Sequence, residues 1–375
     1  MQPTTTLKKR LLILCGIAGL FAGAYGFRQA TMAPNSSTPQ SLRGDADGAQ
    51  AALEVMLRPL SPRESEQLLL KYATDPSPGL RYAVAEELAK YSDEGAASAL
   101  TTLFSDWSSN VRESALAGLV KVDRERGIRL LAAALSDEDT KIRESAAEEL
   151  EYFGDKRVVP NLIQALGCDD PTMVRLTIGT LRHITGKRFV AKLGSTSAEL
   201  AVARGKWQSW WSTAKETWPN DPLITGVATI HPTRIDPAPP FFMLDIDGHP
   251  FSLAGQQGRI TVLNFWGTWC PPCQSEIPNF VQIDKNYKAV GVDVVGIALH
   301  EDSTDSLRKW CQGHGVTYRQ VTPTDSFIEA YGQINELPVT LLIDGKGRIR
   351  YRWDGPRDYR TIRNAVDRVL REQSR

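Results

Sequence analysis

The stretch Asn264-Phe-Trp-Gly-Thr-Trp-Cys-Pro-Pro-Cys273 decides how the second half of this chain is interpreted. It begins inside the apolar run 260–266, which is typical of a buried strand, and it leads into a segment with helical periodicity from about Pro272. The two cysteines are therefore predicted to lie where a strand is followed by a helix. This position gives the pair a chemical meaning that its spacing alone would not have.

A cysteine just ahead of a helix faces unpaired backbone N–H groups and the positive end of the helix dipole. Both lower the pKa of the thiol, so the nucleophilic thiolate is available near neutral pH. We therefore predict that Cys270 is the attacking thiol. Cys273, one turn further on, is predicted to resolve a mixed disulfide by attacking Cys270. The pair is expected to act as one redox-active site.

Around this motif the sequence alternates predicted strands with predicted helices. The strands are expected at 241–244, 260–266, 292–299, 318–321, 339–343 and 349–353, and the helices at 272–289, 303–314, 326–331 and 358–371. This order predicts an α/β sandwich around a mixed sheet.

The motif, together with Glu276 and the later stretch Glu336-Leu-Pro-Val-Thr-Leu-Leu-Ile-Asp344, resembles the TlpA/ResA branch of the thioredoxin family. The resemblance covers about residues 236–373 and implies a thioredoxin-like domain at 241–375. It implies that Pro338 is a cis-proline facing the disulfide. Trp269 and Leu337 are the residues expected to contact substrate.

The same resemblance implies an activity. Members of this branch are thiol–disulfide oxidoreductases that need no cofactor or metal and reduce particular protein disulfides, as in cytochrome c maturation. They draw electrons from a membrane thiol reductase. A protein disulfide substrate and a membrane reductase are therefore the partners that the resemblance implies for this domain.

Glu276 is a candidate for proton transfer. Thioredoxin has a buried aspartate just before its Phe-Trp pair, whereas this chain has Asn264 at that position. Glu276 follows Cys273 by three residues, within reach across one helical turn, and a partly buried carboxylate there can accept or return a proton during exchange. The alternative interpretation is a solvated helix residue.

Two other classes of site share some of these residues. Cys311 and His314 have the spacing of a zinc-binding pair, but an unpaired buried cysteine is ordinary in an amphipathic helix. A peroxiredoxin requires a proline and a threonine ahead of a single peroxidatic cysteine, whereas Gly267 and Thr268 precede a pair. No metal site is predicted.

The first half of the chain contains an internal repeat. Arginines recur 31, 31 and 32 residues apart, and each follows an aspartate by six residues. The arginines are Arg81, Arg112, Arg143 and Arg175, and the aspartates are Asp75, Asp106, Asp137 and Asp169. Apolar residues seven, nineteen and twenty-three positions after the first three arginines predict one helical hairpin per repeat.

An aspartate just ahead of a helix suits an N-cap, and it can also reach the repeated arginine of its own or a neighbouring unit. This pattern resembles short HEAT-like repeats, over residues 47–218. The expected fold class is therefore a multidomain chain in which an all-α HEAT-like solenoid precedes an α/β thioredoxin-like fold. HEAT-like arrays usually bind proteins, so the resemblance implies a protein partner or a spacing role for the repeats.

Four tryptophans follow the last repeat at near-helical spacing: Trp207, Trp210, Trp211 and Trp218. They are interpreted as a cap that buries the end of the array, or alternatively as an exposed docking stripe.

The N-terminal sequence predicts that the chain is targeted to a membrane. Lys8, Lys9 and Arg10 precede an uncharged apolar run at 11–27, which as a helix would reach roughly 26 Å at about 1.5 Å per residue. Residues 1–28 are predicted to be a signal anchor or a cleaved signal peptide. With an anchor, the protein would be held in the inner membrane and would face the periplasm or an equivalent extracytoplasmic space.

Two further segments are predicted to connect folded regions. Residues 29–46 have almost no large apolar residue and are interpreted as a flexible spacer, and the proline-rich residues 219–240 as a semi-rigid linker.

The overall charge does not indicate a nucleic-acid partner, because 44 basic residues balance 44 acidic ones. The predicted function is an extracytoplasmic thiol–disulfide oxidoreductase, acting as a reductant. The alternative is an interaction scaffold in which the HEAT-like repeats carry the function and the thioredoxin domain is redox-sensing or vestigial.

Overall fold

The chain contains a helical array followed by a mixed β-sheet flanked by helices. The structure is a computed structural model, and it describes residues 39, 42, 46–168, 170–190, 194–219, 236–331, 334 and 336–374. The predicted signal anchor or signal peptide lies outside the described residues. No helix among the described residues is long and apolar enough to cross a membrane.

The array consists of helical hairpins, which confirms the repeat prediction. Its helices are α1 (Ala46–Leu57), α2 (Pro62–Tyr72), α3 (Pro78–Leu88), α4 (Glu94–Leu103), α5 (Ser109–Val122), α6 (Arg124–Ala134), α7 (Thr140–Phe153), α8 (Val159–Ala165), α9 (Pro171–Thr185) and α10 (Ser197–Ala214). Helix α3 packs between α1 and α5, and α7 packs against α9. Leucine and alanine side chains from successive repeats share one apolar core, as expected of a stacked array.

Two of the repeated aspartates, Asp106 and Asp137, link neighbouring repeats, and none of the three that the structure describes is an N-cap residue. The residues at the N-cap positions are Ser77, Ser108, Asp139 and Asp170. Asp106 accepts two hydrogen bonds from the Arg81 guanidinium of the preceding repeat, at 2.6 and 2.8 Å. Asp137 Oδ1 likewise lies 3.5 Å from Nη2 of Arg112, the arginine of the preceding repeat. The N-cap prediction was therefore wrong for Asp75, Asp106 and Asp137, which lie two residues before the N-cap. The contact between neighbouring units is confirmed for Asp106 and Asp137.

The pattern changes at the last repeat. Asp169 lies outside the described residues, and Arg143 instead lies 3.5 Å from Asp170. The Arg175 guanidinium donates to Thr172 Oγ1 in its own helix.

The tryptophan cluster caps the array, which is the first of the two interpretations given above. Trp207 is fully buried, and the other three rings are partly buried and pack against the array core. The Trp210 ring contacts those of Trp207, Trp211 and Trp218. Trp218 Nε1 also donates to the Lys156 carbonyl.

The second region is a thioredoxin-like domain, as predicted. Its strands are β1 (Asp236–Pro237), β2 (Phe242–Leu244), β3 (Pro250–Ser252), β4 (Ile260–Trp266), β5 (Val292–Ala298), β6 (Arg319–Val321), β7 (Val339–Ile343) and β8 (Arg348–Asp354). Its helices are α11 (Pro271–Tyr287), α12 (Thr304–Gly313), α13 (Asp325–Ala330) and α14 (Tyr359–Gln373). The main sheet has the order β1-β8-β7-β4-β5-β6, with β4, β5 and β6 parallel and the other pairings antiparallel, and β2 and β3 form a separate hairpin.

The predicted spacer and linker both extend too far into folded structure. Leu42, one of the few large apolar residues of the spacer, is fully buried in the array core. At the other boundary, Asp236 and Pro237 pair with β8 as β1, and Ala238 is buried in the core of the sheet domain. Proline tolerates this position because β1 is an edge strand. Both connecting segments are thus shorter than the composition indicated.

The array packs directly on the sheet domain, and the described residues form one compact unit. Trp107, between α4 and α5, is 3% exposed and lies in the apolar core of the sheet domain. Its Nε1 donates to Asp236 Oδ2 at 2.7 Å, and its carbonyl accepts from the Arg352 N–H at 2.8 Å. The Arg81 guanidinium lies 4.8 Å from the centre of the Trp107 ring.

A second contact comes from the start of α7. Glu138 accepts hydrogen bonds from Tyr351 and Arg368, and Thr140 bonds Thr361. The neighbouring Asp139 binds Arg357. The position of the array is therefore fixed by side-chain contacts, in addition to the chain connection.

Candidate active site

Cys270 and Cys273 lie at the end of β4, where the chain enters α11. Cys270 is the N-cap residue of α11, and its Sγ accepts a hydrogen bond from the Cys273 N–H at 3.3 Å. The two cysteines form a disulfide. Cys270 is 4% exposed and Cys273 1%, so Cys270 is the more exposed residue of the pair. This arrangement fits the predicted division of roles between the attacking and the resolving thiol.

The loop before Cys270 is held by the loop after β5. Glu301 accepts hydrogen bonds from the N–H and the Oγ1 of Thr268, both at 2.7 Å. Trp269 Nε1 donates to the Leu299 carbonyl at 3.2 Å. Sequence reasoning missed Glu301, although β4 and β5 are adjacent parallel strands whose carboxyl ends meet at one edge of the sheet. That pairing was the signal that could have found it.

The predicted substrate-contacting residues lie around the disulfide. Trp269, next to Cys270, is 55% exposed, and Leu337 is partly buried against the apolar cluster that contains both cysteines. The Leu337–Pro338 peptide bond is cis. Trp266 is fully buried and donates to Gln320 Oε1. Contact of Trp269 and Leu337 with substrate stays a prediction.

Glu276 is buried, so its interpretation as a solvated helix residue was wrong. Only 2% of the residue is exposed. Its Oε1 accepts from Asn264 Nδ2 at 2.8 Å, and its Oε2 accepts from the Arg357 N–H at 3.1 Å. Burial raises the pKa of Glu276 to about 7, although the two hydrogen bonds and the Arg357 charge favour the ionised form. A carboxyl with this pKa can both accept and return a proton near neutral pH.

Asn264 can serve both protonation states of Glu276. Its Nδ2 donates to ionised Glu276 and also lies 3.3 Å from Thr340 Oγ1. Its Oδ1 is buried and has no hydrogen-bond partner. If the amide rotates, Oδ1 can accept a hydrogen bond from protonated Glu276. The residue that replaces the aspartate of thioredoxin is therefore the partner of the candidate proton acceptor.

Cys311 and His314 are committed to packing contacts. Cys311 belongs to the apolar cluster around the disulfide, and burial raises the pKa of its thiol to about 11. The His314 ring stacks on Trp310, with ring centres 3.8 Å apart. A protonated, buried thiol is a poor nucleophile and a poor metal ligand.

Replacing Glu276 with glutamine should remove a titration near pH 7 from the rate of exchange. Ionised Glu276 can accept the proton that the Cys273 thiol loses when it resolves the mixed disulfide, and this form disappears as the pH falls through the pKa of about 7. General base catalysis contributes about 10²–10⁴-fold, so we expect a roughly hundredfold slower step at pH 8. Single-turnover kinetics between pH 5 and 9 measure this.

The matched control is Asp284→Asn, which changes another buried carboxyl on α11, eight residues further along the helix. It should leave the pH profile unchanged. An unchanged profile in Glu276→Gln would exclude a role in proton transfer.

Both halves of the chain match known families. Residues 235–352 match the AhpC/TSA family, and residues 40–120 and 128–199 match HEAT repeats. The second region is 35% identical to the thiol-disulfide oxidoreductase ResA of Geobacillus kaustophilus over 114 residues, which is 30% of this chain and 64% of that protein. It is 34% identical to ResA of Bacillus subtilis over 113 residues, 30% of this chain and 62% of that protein.

A crystal structure of a thioredoxin-family thiol:disulfide interchange protein from Chlorobium tepidum is also similar. It shares 34% identity and a TM-score of 0.35, covering 37% of this chain and 98% of that one. The chain thus joins HEAT repeats to an AhpC/TSA-type thioredoxin-fold domain that is similar to ResA. It spans less than two thirds of the length of the ResA proteins that it matches.

Proposed function

We propose that this protein is a thiol–disulfide oxidoreductase that acts on protein disulfides at Cys270 and Cys273. The observation that carries the proposal is the cysteine pair at the N-terminus of α11, with the cis Leu337–Pro338 bond and the buried Glu276 in the same domain. The similarity to ResA proteins, which are named thiol-disulfide oxidoreductases, supports the same activity.

The proposed reaction is a two-step exchange. The Cys270 thiolate attacks one sulfur of the substrate disulfide, whose S–S bond breaks, and the other substrate sulfur leaves as a thiolate and takes up a proton. The Cys273 thiol then loses its proton to Glu276 and attacks Cys270 Sγ. The bond between Cys270 and the substrate breaks, and the second substrate sulfur leaves as a thiolate that takes up a proton. Two electrons have passed from the cysteine pair to the substrate, and the pair is left as the disulfide.

We assign the reducing direction to this reaction, following the resemblance to the ResA branch. The experiment is a measurement of the midpoint potential of the Cys270–Cys273 pair in glutathione buffers, with the full chain. A reductant should have a potential near that of thioredoxin, about −270 mV, and an oxidant one near about −120 mV. A value at the oxidising end would overturn the reductant assignment.

Disulfide reduction needs a supply of electrons, because each turnover leaves the cysteine pair oxidised. We assign this role to a membrane thiol reductase, and we assign the protein to the periplasm or an equivalent compartment, held at the inner membrane by residues 1–28. The resemblance to the ResA branch is the basis for the assignment of the reductase, and the basic residues before the apolar run at 11–27 are the basis for the location. Compartment-specific alkylation of the thiols in intact cells tests the location.

The HEAT repeats are assigned a role in binding a protein partner, which is the usual role of such arrays. The assignment predicts that substitutions on the exposed surface of the array reduce the activity toward the native substrate more than toward a small model disulfide.

A further inference from the structure

Two backbone N–H groups of the turn at residues 354–357 donate hydrogen bonds to residues of the candidate active site. The Arg357 N–H donates to Glu276 Oε2 at 3.1 Å, and the Gly355 N–H donates to the Pro338 carbonyl at 2.8 Å. Gly355 has φ 89°, a left-handed conformation that favours glycine. A change in the shape of this turn would alter the hydrogen bonding of both Glu276 and Pro338.

The Arg357 side chain holds this turn together. Its Nη1 donates to the carbonyls of Asp354, Gly355 and Pro356, at 3.3, 3.1 and 3.1 Å. The backbone of the turn therefore surrounds the Arg357 guanidinium group. The shape of the turn depends on the groups that hold this guanidinium in place.

The helical array supplies the groups that fix the guanidinium. Asp139 Oδ2 lies 3.2 Å from both Nε and Nη2 of Arg357, and Ser109 Oγ accepts from Nη2 at 3.1 Å. Asp139, Ser109 and Arg357 are all buried. A buried ion pair with this many hydrogen bonds is specific in its geometry, and the loss of one partner leaves an unpaired charge.

We infer that Asp139 and Ser109 of the HEAT repeats are positioning residues for the redox site, because they fix Arg357 and thereby the backbone N–H that binds Glu276. The array is then part of the machinery that sets the proton affinity of Glu276. This inference rests on the function proposed above and adds an intramolecular role for the repeats to it.

Several other groups surround Glu276 and Arg357. Burial, and after it the charge of Glu276, raises the pKa of Tyr318. Burial also raises the pKa of Glu113 on α5, and the positive charge of Arg357 acts against this rise. The titratable and charged groups that interact with Glu276, Arg357 or Asp139 also include Lys141 and Arg112, whose Nη2 lies 4.0 Å from Asp139 Oδ2.

The direction in which the pKa of Glu276 moves in Asp139→Asn distinguishes a positioning role of Asp139 from an effect of its charge alone. Asp139→Asn removes a negative charge from the neighbourhood, and this alone would lower the pKa of Glu276. The hydrogen bond from the Arg357 N–H favours the ionised form of Glu276. If Asp139 positions the turn, its replacement weakens this hydrogen bond, and the pKa of Glu276 rises. Asparagine preserves the N-cap of α7, so the helix itself should persist.

The test compares full-length variants by two measurements. One is the pH profile of single-turnover exchange, and the other is the titration of the Glu276 carboxyl by ¹³C NMR, which needs no activity. For Asp139→Asn we expect both midpoints to move up by about half to one pH unit, equal to a roughly three- to tenfold lower rate on the acid side. Ser109→Ala changes no charge and should move them up by less.

The matched control is Glu138→Gln. Glu138 precedes Asp139, and its carboxylate accepts hydrogen bonds from Tyr351 and Arg368 of the thioredoxin-like domain. Its substitution should leave both midpoints unchanged. A downward shift or no shift in Asp139→Asn, or an equal shift in Glu138→Gln, would overturn the inference. If Asp139→Asn does not fold, the shift of both midpoints in Ser109→Ala alone decides the inference.

Absence of exchange in the wild-type protein would instead overturn the proposed function, and the titration of the Glu276 carboxyl would still test the inference.

Discussion

Replacing Cys270 with serine should lower the rate of exchange with a protein disulfide to the uncatalysed background, a loss of at least about a thousandfold. Cys270 is the N-cap residue of α11 and the more exposed of the two cysteines, so its thiolate is the nucleophile that the helix N-terminus stabilises. A serine hydroxyl does not ionise near neutral pH and cannot form a mixed disulfide. Single-turnover mixing of the reduced protein with substrate measures the effect.

Cys273→Ser should behave differently, because Cys270 can still attack. We expect the first step to proceed and the reaction to stop at the mixed disulfide, with one substrate molecule bound per chain. Cys311→Ser is the control, since Cys311 is buried and the pKa of its thiol is raised to about 11. This variant should exchange like the wild type. Equal rates in Cys270→Ser and Cys311→Ser would contradict the assignment of the nucleophile.

Replacing Trp107 with alanine should destabilise the protein by about 3–5 kcal/mol, because a large buried aromatic ring is removed from a packed core. Trp107 belongs to the array, but its ring lies in the core of the thioredoxin-like domain and its Nε1 donates to Asp236. The substitution therefore weakens the contact between the two regions. We expect calorimetry to give one cooperative transition for the wild type and two for Trp107→Ala.

Trp107→Phe refines this prediction. It preserves most of the ring packing and removes the hydrogen bond to Asp236, so the expected loss is smaller, about 1–2 kcal/mol. Tyr152→Ala is the control, because Tyr152 is an aromatic residue of the same array that is 84% exposed. It should change the free energy of unfolding by less than about 0.5 kcal/mol. A similar loss in Tyr152→Ala and Trp107→Ala would mean that Trp107 does not join the two regions.

The elements of both regions were predictable because their signals are local. The alternation of apolar strands and amphipathic helices predicted every element from β4 to α14 to within about two residues, and the arginine period predicted the helical hairpins. The short strands β1 and β3 were missed. Each of these two strands pairs with a partner strand, β1 with β8 and β3 with β2, and the residues of β1 and β3 alone do not indicate this pairing.

The interactions within the site were less predictable. Cys270 and Cys273 are apparent from their spacing, whereas the burial of Glu276 depends on Asn264, which is twelve residues away, and on Arg357, which is 81 residues away. The contact between Arg357 and Asp139 spans 218 residues and joins two regions that have independent sequence signals. No pattern within either region indicates that contact. Long-range packing of this kind decides the proton affinity of Glu276 and can be read only from the structure.

Covalent trapping in the native host tests the central claim most directly. The full chain with Cys273→Ser is expressed, thiols are blocked by alkylation, and disulfide-linked partners are identified by mass spectrometry. We expect a discrete protein linked to Cys270, which is absent when Cys270→Ser is combined with Cys273→Ser. The contrary result is the absence of any adduct, or an adduct that persists without Cys270, and either would contradict nucleophilic attack by Cys270 on a protein disulfide.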